Sequence, residues 1–270
     1  ELLLRRTVER PRIFTNSSLS TIERMAIDRI GVALVAEGAF SPSLEQNRLV
    51  ALTSDIDLPP LRFFSYYMMG LGSEELESLF CLMPGLKVVY PAFPSDARGL
   101  IYSSVMDPNP VVFLENKYLY RHVKEIVPQS FEPVPLGAAR VCRAGRDAVV
   151  LTYGAMVHEA LRAAEQLASD GGYEVMVVDL RTLKPYDADT VLTAVAATNR
   201  VLIAHEGWRT NGFGAELSAL VADRAFHLLD APVRRVAAPD VPVPFAPELE
   251  NAYRPNADKI ATALLELMEY

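Results

Sequence analysis

Between residues 148 and 270 the chain alternates short apolar runs with stretches of helical periodicity, and this pattern restricts its fold more than any other feature. Ala148-Val-Val-Leu-Thr-Tyr-Gly154 is nearly continuous in apolar character and ends in glycine, as expected for a strand buried on both faces. Residues 155–169 carry Leu161, Ala164 and Leu167 at helical spacing and stop at Asp170-Gly-Gly172. Residues 175–180, 200–204 and 233–237 read as further strands. Asp187 is placed to N-cap a helix through Thr198, because its carboxylate accepts the free N–H groups of a first turn. A helix ending near Phe226 and another opened by Asn256 complete the series. Strands alternating with helices of this length predict an α/β fold with a mainly parallel sheet and right-handed crossovers.

Upstream, residues 86–90 and 111–115 read as strands, with a helix between them starting near Ser95 or Asp96. From 116 to 135 the apolar periodicity fades and Pro128, Pro133 and Pro135 appear, the signature of a linker. Two domains are therefore expected, 1–128 and 129–270. In the first 70 residues the spacing predicts a helix over 22–36. It also predicts a strand over 58–64, whose leading Pro59 and Pro60 suit only a strand's start.

Composition narrows the function classes. The formal charge of −8, from 26 basic and 34 acidic residues, disfavours nucleic acid, whose phosphates are bound by clustered Lys and Arg. Cys81 and Cys142 have no metal-ligand spacing and fit a reduced compartment. No apolar run reaches the ~18–20 residues of a membrane span. Glu1-Leu-Leu-Leu-Arg-Arg6 lacks the apolar core of a signal peptide. A cytoplasmic or organelle-matrix protein is expected.

Six segments then occur in a telling order. They are 84–100 (Pro-Gly-Leu-Lys-Val-Val-Tyr-Pro-Ala-Phe-Pro-Ser-Asp-Ala-Arg-Gly-Leu), 106–115 (Met-Asp-Pro-Asn-Pro-Val-Val-Phe-Leu-Glu) and 179–185 (Asp-Leu-Arg-Thr-Leu-Lys-Pro). Residues 206–216 (Glu-Gly-Trp-Arg-Thr-Asn-Gly-Phe-Gly-Ala-Glu), 229–233 (Leu-Asp-Ala-Pro-Val) and 239–244 (Pro-Asp-Val-Pro-Val-Pro) follow. Over residues 71–270 the series resembles the beta subunit of a thiamine-diphosphate-dependent 2-oxo-acid dehydrogenase. The resemblance implies a thiamine-diphosphate pyrimidine-binding-type domain followed by a transketolase C-terminal-type domain. Upstream, Pro42-Ser-Leu-Glu-Gln46 resembles a helix start in the same first domain, and 20–27 (Ser-Thr-Ile-Glu-Arg-Met-Ala-Ile) is similar to the segment bearing the family's catalytic glutamate. An apolar strand after Gly38 and a Gly- and His-rich loop near Gly70, both expected of such a subunit, are not found in the sequence.

The resemblance assigns roles to a few residues. Glu23 corresponds to the glutamate that touches the cofactor's pyrimidine ring, both catalytic and cofactor-binding. Without the family it reads as an exposed helical residue beside Arg24. Asp107 and Asn109 match positions where the family holds a structural potassium ion through loop oxygens; hard cations prefer such ligands, yet Asp-Pro-Asn-Pro also makes a good tight turn. His205, Glu206 and Trp208 stand at the C-terminal end of a strand, where open α/β sheets commonly bind ligands. In the resembled family this loop packs at subunit contacts, so a structural role is expected, with Trp208 and Phe213 reaching a neighbouring subunit. His122, His158 and His227 lack partner spacing, and Cys81, among Leu79, Phe80 and Leu82, reads as core.

No Gly-Asp-Gly…Asn diphosphate signature, Walker loop or Gly-x-Gly-x-x-Gly loop is present. The resemblance therefore implies an alpha-type subunit or domain holding the diphosphate and magnesium, in a heterotetramer, with a lipoyl-bearing acyltransferase and a 2-oxo acid as further partners. Two alternatives stand beside it: a transketolase-like carbon–carbon ligase half, and a catalytically degenerate scaffold subunit.

Overall fold

In the computed structural model the residues described are 75–126 and 132–270, with four isolated positions before them: Ile27, Gln46, Arg48 and Leu49. The chain falls into two compact units, Glu1–Phe63 and Phe64–Tyr270. Of the first, Ile27 is helical, and Gln46, Arg48 and Leu49 lie in turns or bends. The helix expected over 22–36, the strand over 58–64, the segment 42–46 and residues 127–131 of the expected linker fall outside the described residues, apart from Ile27 and Gln46.

The second unit opens with α1 (Glu75–Leu82), β1 (Lys87–Val89), α2 (Pro94–Met106), β2 (Val111–Phe113) and the single turn α3 (Leu119–His122). It continues through β3 (Arg140–Arg143), β4 (Ala148–Thr152), α4 (Met156–Gly171), β5 (Val175–Asp179), β6 (Thr182–Lys184), α5 (Ala188–Thr198) and β7 (Val201–Trp208). It ends with α6 (Phe213–Arg224), a 3-10 turn, β8 (Arg234–Ala238), α7 (Pro247–Tyr253) and α8 (Ala257–Met268).

Local chemistry sets the helix ends. The Asp187 carboxylate accepts the Thr190 N–H at the start of α5, and the Asn256 side chain accepts the Lys259 N–H at the start of α8. Gly172 closes α4 in the left-handed region, φ 71°, where a side chain would add strain.

Five strands form a sheet in the order β3-β5-β4-β7-β8, parallel throughout except for the antiparallel edge strand β3. Its alternating side chains divide between two layers. Val150, Val177 and Leu202 face α4 and α8 through Ala160, Leu167 and Leu264, whereas Leu151, Val178 and Ile203 face α5 and α6 through Val191, Leu217 and Val221. The near-continuous apolar character of β4 follows from this two-sided burial, and all five of its residues are buried.

A second, three-stranded sheet has the order β2-β1-β6, with β1 parallel to β2 and antiparallel to β6. One face, with Val89, Val111 and Phe113, packs on Leu100 of α2. Val88, Tyr90, Val112 and Leu114 join the α5–α6 layer of the larger sheet in one core.

Candidate functional site

The C-terminal ends of β4, β5 and β7 meet the ends of β1 and β2, and polar side chains from both sheets fill the junction. Tyr153, just past β4 and 3% exposed, donates its hydroxyl to Glu77 of α1, itself 1% exposed. Asn116, beyond β2, donates through Nδ2 to Glu206 of β7 at 3.0 Å. Asp96 in the first turn of α2 is buried, and its two oxygens accept from Arg140 and Arg181, each at 2.9 Å. Arg181 also donates to the carbonyls of Ala138 and Ala139, both at 3.0 Å.

Two further buried titratable groups lie within this junction. Burial pushes the Asp179 carboxyl up to about 8, against the backbone hydrogen bond from Arg181. Its second oxygen has no hydrogen-bond partner. His205 is fully buried, with neither ring nitrogen hydrogen-bonded, and its ring stacks over Tyr153 with centroids 6.4 Å apart. Burial first, and the Arg235 charge second, lower its pKa to about 4. The histidine is thus neutral at physiological pH and has no acid–base partner.

Beside the junction lies a cavity of about 1390 Å³, walled by α1, the residues after β6 and the loop after β7. Leu82, Tyr186, Trp208 and Phe213 give it an apolar lining, with Glu216 and Asp240 contributing carboxylates. Its one lysine, Lys184, has its ammonium on the Cys81 carbonyl. Carboxylates repel a diphosphate, and among the described residues no three His, Cys, Asp or Glu side chains form a metal-holding group. The described donor set does not fit the diphosphate–magnesium end of the cofactor.

Of the residues assigned from sequence, Glu23 lies outside the described residues. Asp107 and Asn109 share the turn between α2 and β2. One Asp107 oxygen accepts from the Asn109 N–H at 2.9 Å and Nδ2 at 3.0 Å, and the other meets the Lys87 ammonium at 2.5 Å. His205, expected at the C-terminal end of a strand, and Glu206, expected to open the loop after it, both lie within β7, because that strand's pairing with β8 resumes at Trp208 opposite Ala238 after a register shift. Trp208 is half-buried and donates to the Tyr253 hydroxyl at 2.7 Å. Phe213 belongs to the chain's own core, edge-on to Tyr153 and Tyr186. Burial pushes the Cys81 thiol up to about 12, so it stays protonated. His122 and His227 are exposed, and His158 hydrogen-bonds the Ala92 carbonyl at 2.8 Å.

Sequence reasoning missed the Asp96, Arg140 and Arg181 cluster and the Tyr153–Glu77 pair. Asp96, Asp179 and Arg181 all stood inside the quoted segments, so the signal was present without its pairing.

This arrangement of two sheets is that of transketolase-type enzymes. Residues 72–123 match the family model of the transketolase pyrimidine-binding domain, and 137–260 that of the transketolase C-terminal domain. A solved split-gene transketolase, described as an inactive beta4 tetramer, shares the fold with a TM-score of 0.60 over 72% of this chain and 60% of that one, at 22% identity. More particularly, the chain is similar to the beta subunits of pyruvate and 2-oxoisovalerate dehydrogenases. It is 42% identical over 200 residues to the pyruvate dehydrogenase E1 component subunit beta of Staphylococcus aureus (strain Mu50 / ATCC 700699), covering 74% of this chain and 61% of the relative. The same subunit of Bacillus subtilis (strain 168) matches with the same identity and coverage. The 2-oxoisovalerate dehydrogenase subunit beta of that organism matches at 41% over 199 residues, 73% of this chain and 61% of the relative. The chain thus spans 61% of the length of these relatives. Among the described residues no helix is long and apolar enough to cross a membrane.

Proposed function

We propose that this chain is the beta-type half of a thiamine-diphosphate-dependent 2-oxo-acid dehydrogenase, which decarboxylates a 2-oxo acid oxidatively and passes the acyl group to a lipoyl group. The observation that carries the reading is the 42% identity over 200 residues, which runs through both matched domains in order. In this reading the domains divide at 128/129, and an alpha-type subunit or domain binds the diphosphate and magnesium. A lipoyl-bearing acyltransferase receives the product. In this reading Glu23 would touch the cofactor's pyrimidine ring and hold or release a proton there, and the cofactor would supply the nucleophilic chemistry of decarboxylation.

Calorimetry tests the need for a partner. The chain with an alpha-type partner is expected to bind thiamine diphosphate with magnesium and to reduce an artificial electron acceptor when given a 2-oxo acid. Tight magnesium-dependent binding by the chain alone would overturn the division of labour. An assembled complex that bound the cofactor and turned over no 2-oxo acid would overturn the assigned reaction.

A further inference from the structure

The strand β6 belongs by sequence to the C-terminal domain, yet it pairs with β1 of the pyrimidine-binding domain. A strand has two edges; on β1 one is taken by β2 and the other by β6. Strands of three residues have few ladder bonds of their own, so their stability comes from neighbours and packing. Several features fix β6 there. The Arg181 carbonyl accepts the Tyr90 N–H at 2.8 Å, and Thr182 Oγ1 accepts the Gly137 N–H at 3.1 Å. Leu183 is fully buried in the core that also holds Val88, Tyr90 and Val112.

The turn into β6 is held by charge as well. Arg181 adopts φ 56°, a left-handed conformation unfavourable for a side-chain-bearing residue. Its N–H is held by Asp179 at 3.0 Å and its guanidinium by Asp96 and the carbonyls of Ala138 and Ala139. Arg140 takes the second Asp96 oxygen, and its guanidinium lies 4.8 Å from the Phe93 ring centroid. Asp96 and Phe93 come from the first domain; both arginines come from the second.

We propose that the C-terminal domain serves the pyrimidine-binding domain as a strand donor, with β6 completing the smaller sheet and the grip of Arg140 and Arg181 on Asp96 locking the two domains into one body. The crevice at the C-terminal ends of β4, β5 and β7, where an open α/β sheet would ordinarily take a ligand, is spent on this joint. Tyr153, Arg181 and Glu206 there all engage groups of the first domain. The role holds for whatever reaction the assembled protein performs.

Hydrogen exchange followed by mass spectrometry tests it on the full chain, with any partner that copurifies. Arg181→Gln and Asp96→Asn are each expected to speed exchange at least tenfold in segments 87–90 and 111–114, while 149–151 and 202–204 keep their protection. Arg181→Lys, which retains the charge opposite Asp96, should fall between these variants and the parent. Unchanged protection of 87–90 and 111–114 in both charge-removing variants would overturn the proposal. So would a uniform rise across all four segments, which would make the cluster an ordinary contributor to global stability.

Discussion

Tyr153 donates its hydroxyl to Glu77, 76 residues earlier in the chain, and both side chains are buried where the two domains meet. Hydrogen bonds to buried charged groups contribute about 1.5–3 kcal/mol, and loss of the donor leaves the acceptor desolvated. Tyr153→Phe keeps the ring contacts with Tyr90 and Phe213 and removes only the donor. It is therefore expected to lower stability in urea by about 1.5–3 kcal/mol. Tyr186→Phe, whose hydroxyl meets Glu216 at 3.2 Å in an exposed setting, should cost within about 0.5 kcal/mol. Equal losses in the two variants would show that the buried bond does not form.

Stability should depend on pH through Asp179 and His205 in opposite senses. The folded Asp179 carboxyl, raised from 3.8 to about 8, holds a proton that the unfolded chain has released, so stability falls as pH rises across that window. The folded His205, lowered from 6.5 to about 4, lacks a proton that the unfolded chain binds, so stability rises with pH from 4 to 6.5. Each slope is at most about 1.4 kcal/mol per pH unit. The two oppose one another between pH 4 and 6.5, and only the decline remains from 6.5 to 8. Asp179→Asn, whose carbonyl still accepts the Arg181 N–H, should abolish the decline above 6.5 and uncover a rise below it. Urea midpoints at pH 5, 6.5 and 8 measure this. A parent midpoint that held steady from 6.5 to 8 would show that Asp179 is ionised in the folded protein.

The larger sheet was legible because its strands are buried on both faces and its helices carry their own end signals. Asp187 and Asn256 were read as caps and are caps. Strand β6 was not legible: Thr-Leu-Lys has no periodicity, and its pairing with β1 is set by tertiary contacts. Edge strand β3, Arg-Val-Cys-Arg, is likewise short and half polar. Phe213 was expected to reach a neighbouring subunit but points into its own core, since a glycine-punctuated loop leaves an aromatic's direction undetermined. The quoted segments contained Asp96 and Arg181, yet 85 residues separate them and local spacing says nothing of their meeting. For Asp107 and Asn109 the sequence offered a potassium site by resemblance and a tight turn by composition, and the Lys87 ammonium that engages Asp107 comes from β1, 20 residues earlier, where local spacing says nothing of it.

Gly212 and Gly214 pack against His205, and a methyl group at either meets different obstacles. At Gly214 a Cβ would lie 2.5 and 2.6 Å from ring atoms of His205; at Gly212 it would lie 2.2 Å from the Trp208 carbonyl oxygen and 2.5 Å from the ring. Both alanine variants are expected to lose about 1–3 kcal/mol through overpacking. Combined with His205→Ala, Gly214→Ala should recover much of its loss, because the ring is the main obstacle. Gly212→Ala should not recover, because the backbone carbonyl remains. Double-mutant cycles in urea read the difference directly. Equal recovery of both glycine variants would mean that the Trp208 carbonyl does not constrain Gly212.

Glu23→Gln tests the proposed chemistry at its centre. The amide matches the side chain in size but cannot share a proton with the cofactor's pyrimidine ring. Removing one tuned acid–base group typically costs 10²–10⁴-fold in rate, about 3–5 kcal/mol of barrier. In the complex with an alpha-type partner, turnover of the 2-oxo acid is expected to fall by that factor while sedimentation shows assembly unchanged. Thiamine-diphosphate retention, measured on the same samples, separates loss of chemistry from loss of cofactor. A variant that stayed within about threefold of the parent would identify Glu23 as an ordinary helix residue, because a group that tunes the pyrimidine proton cannot be replaced by an amide at so small a cost.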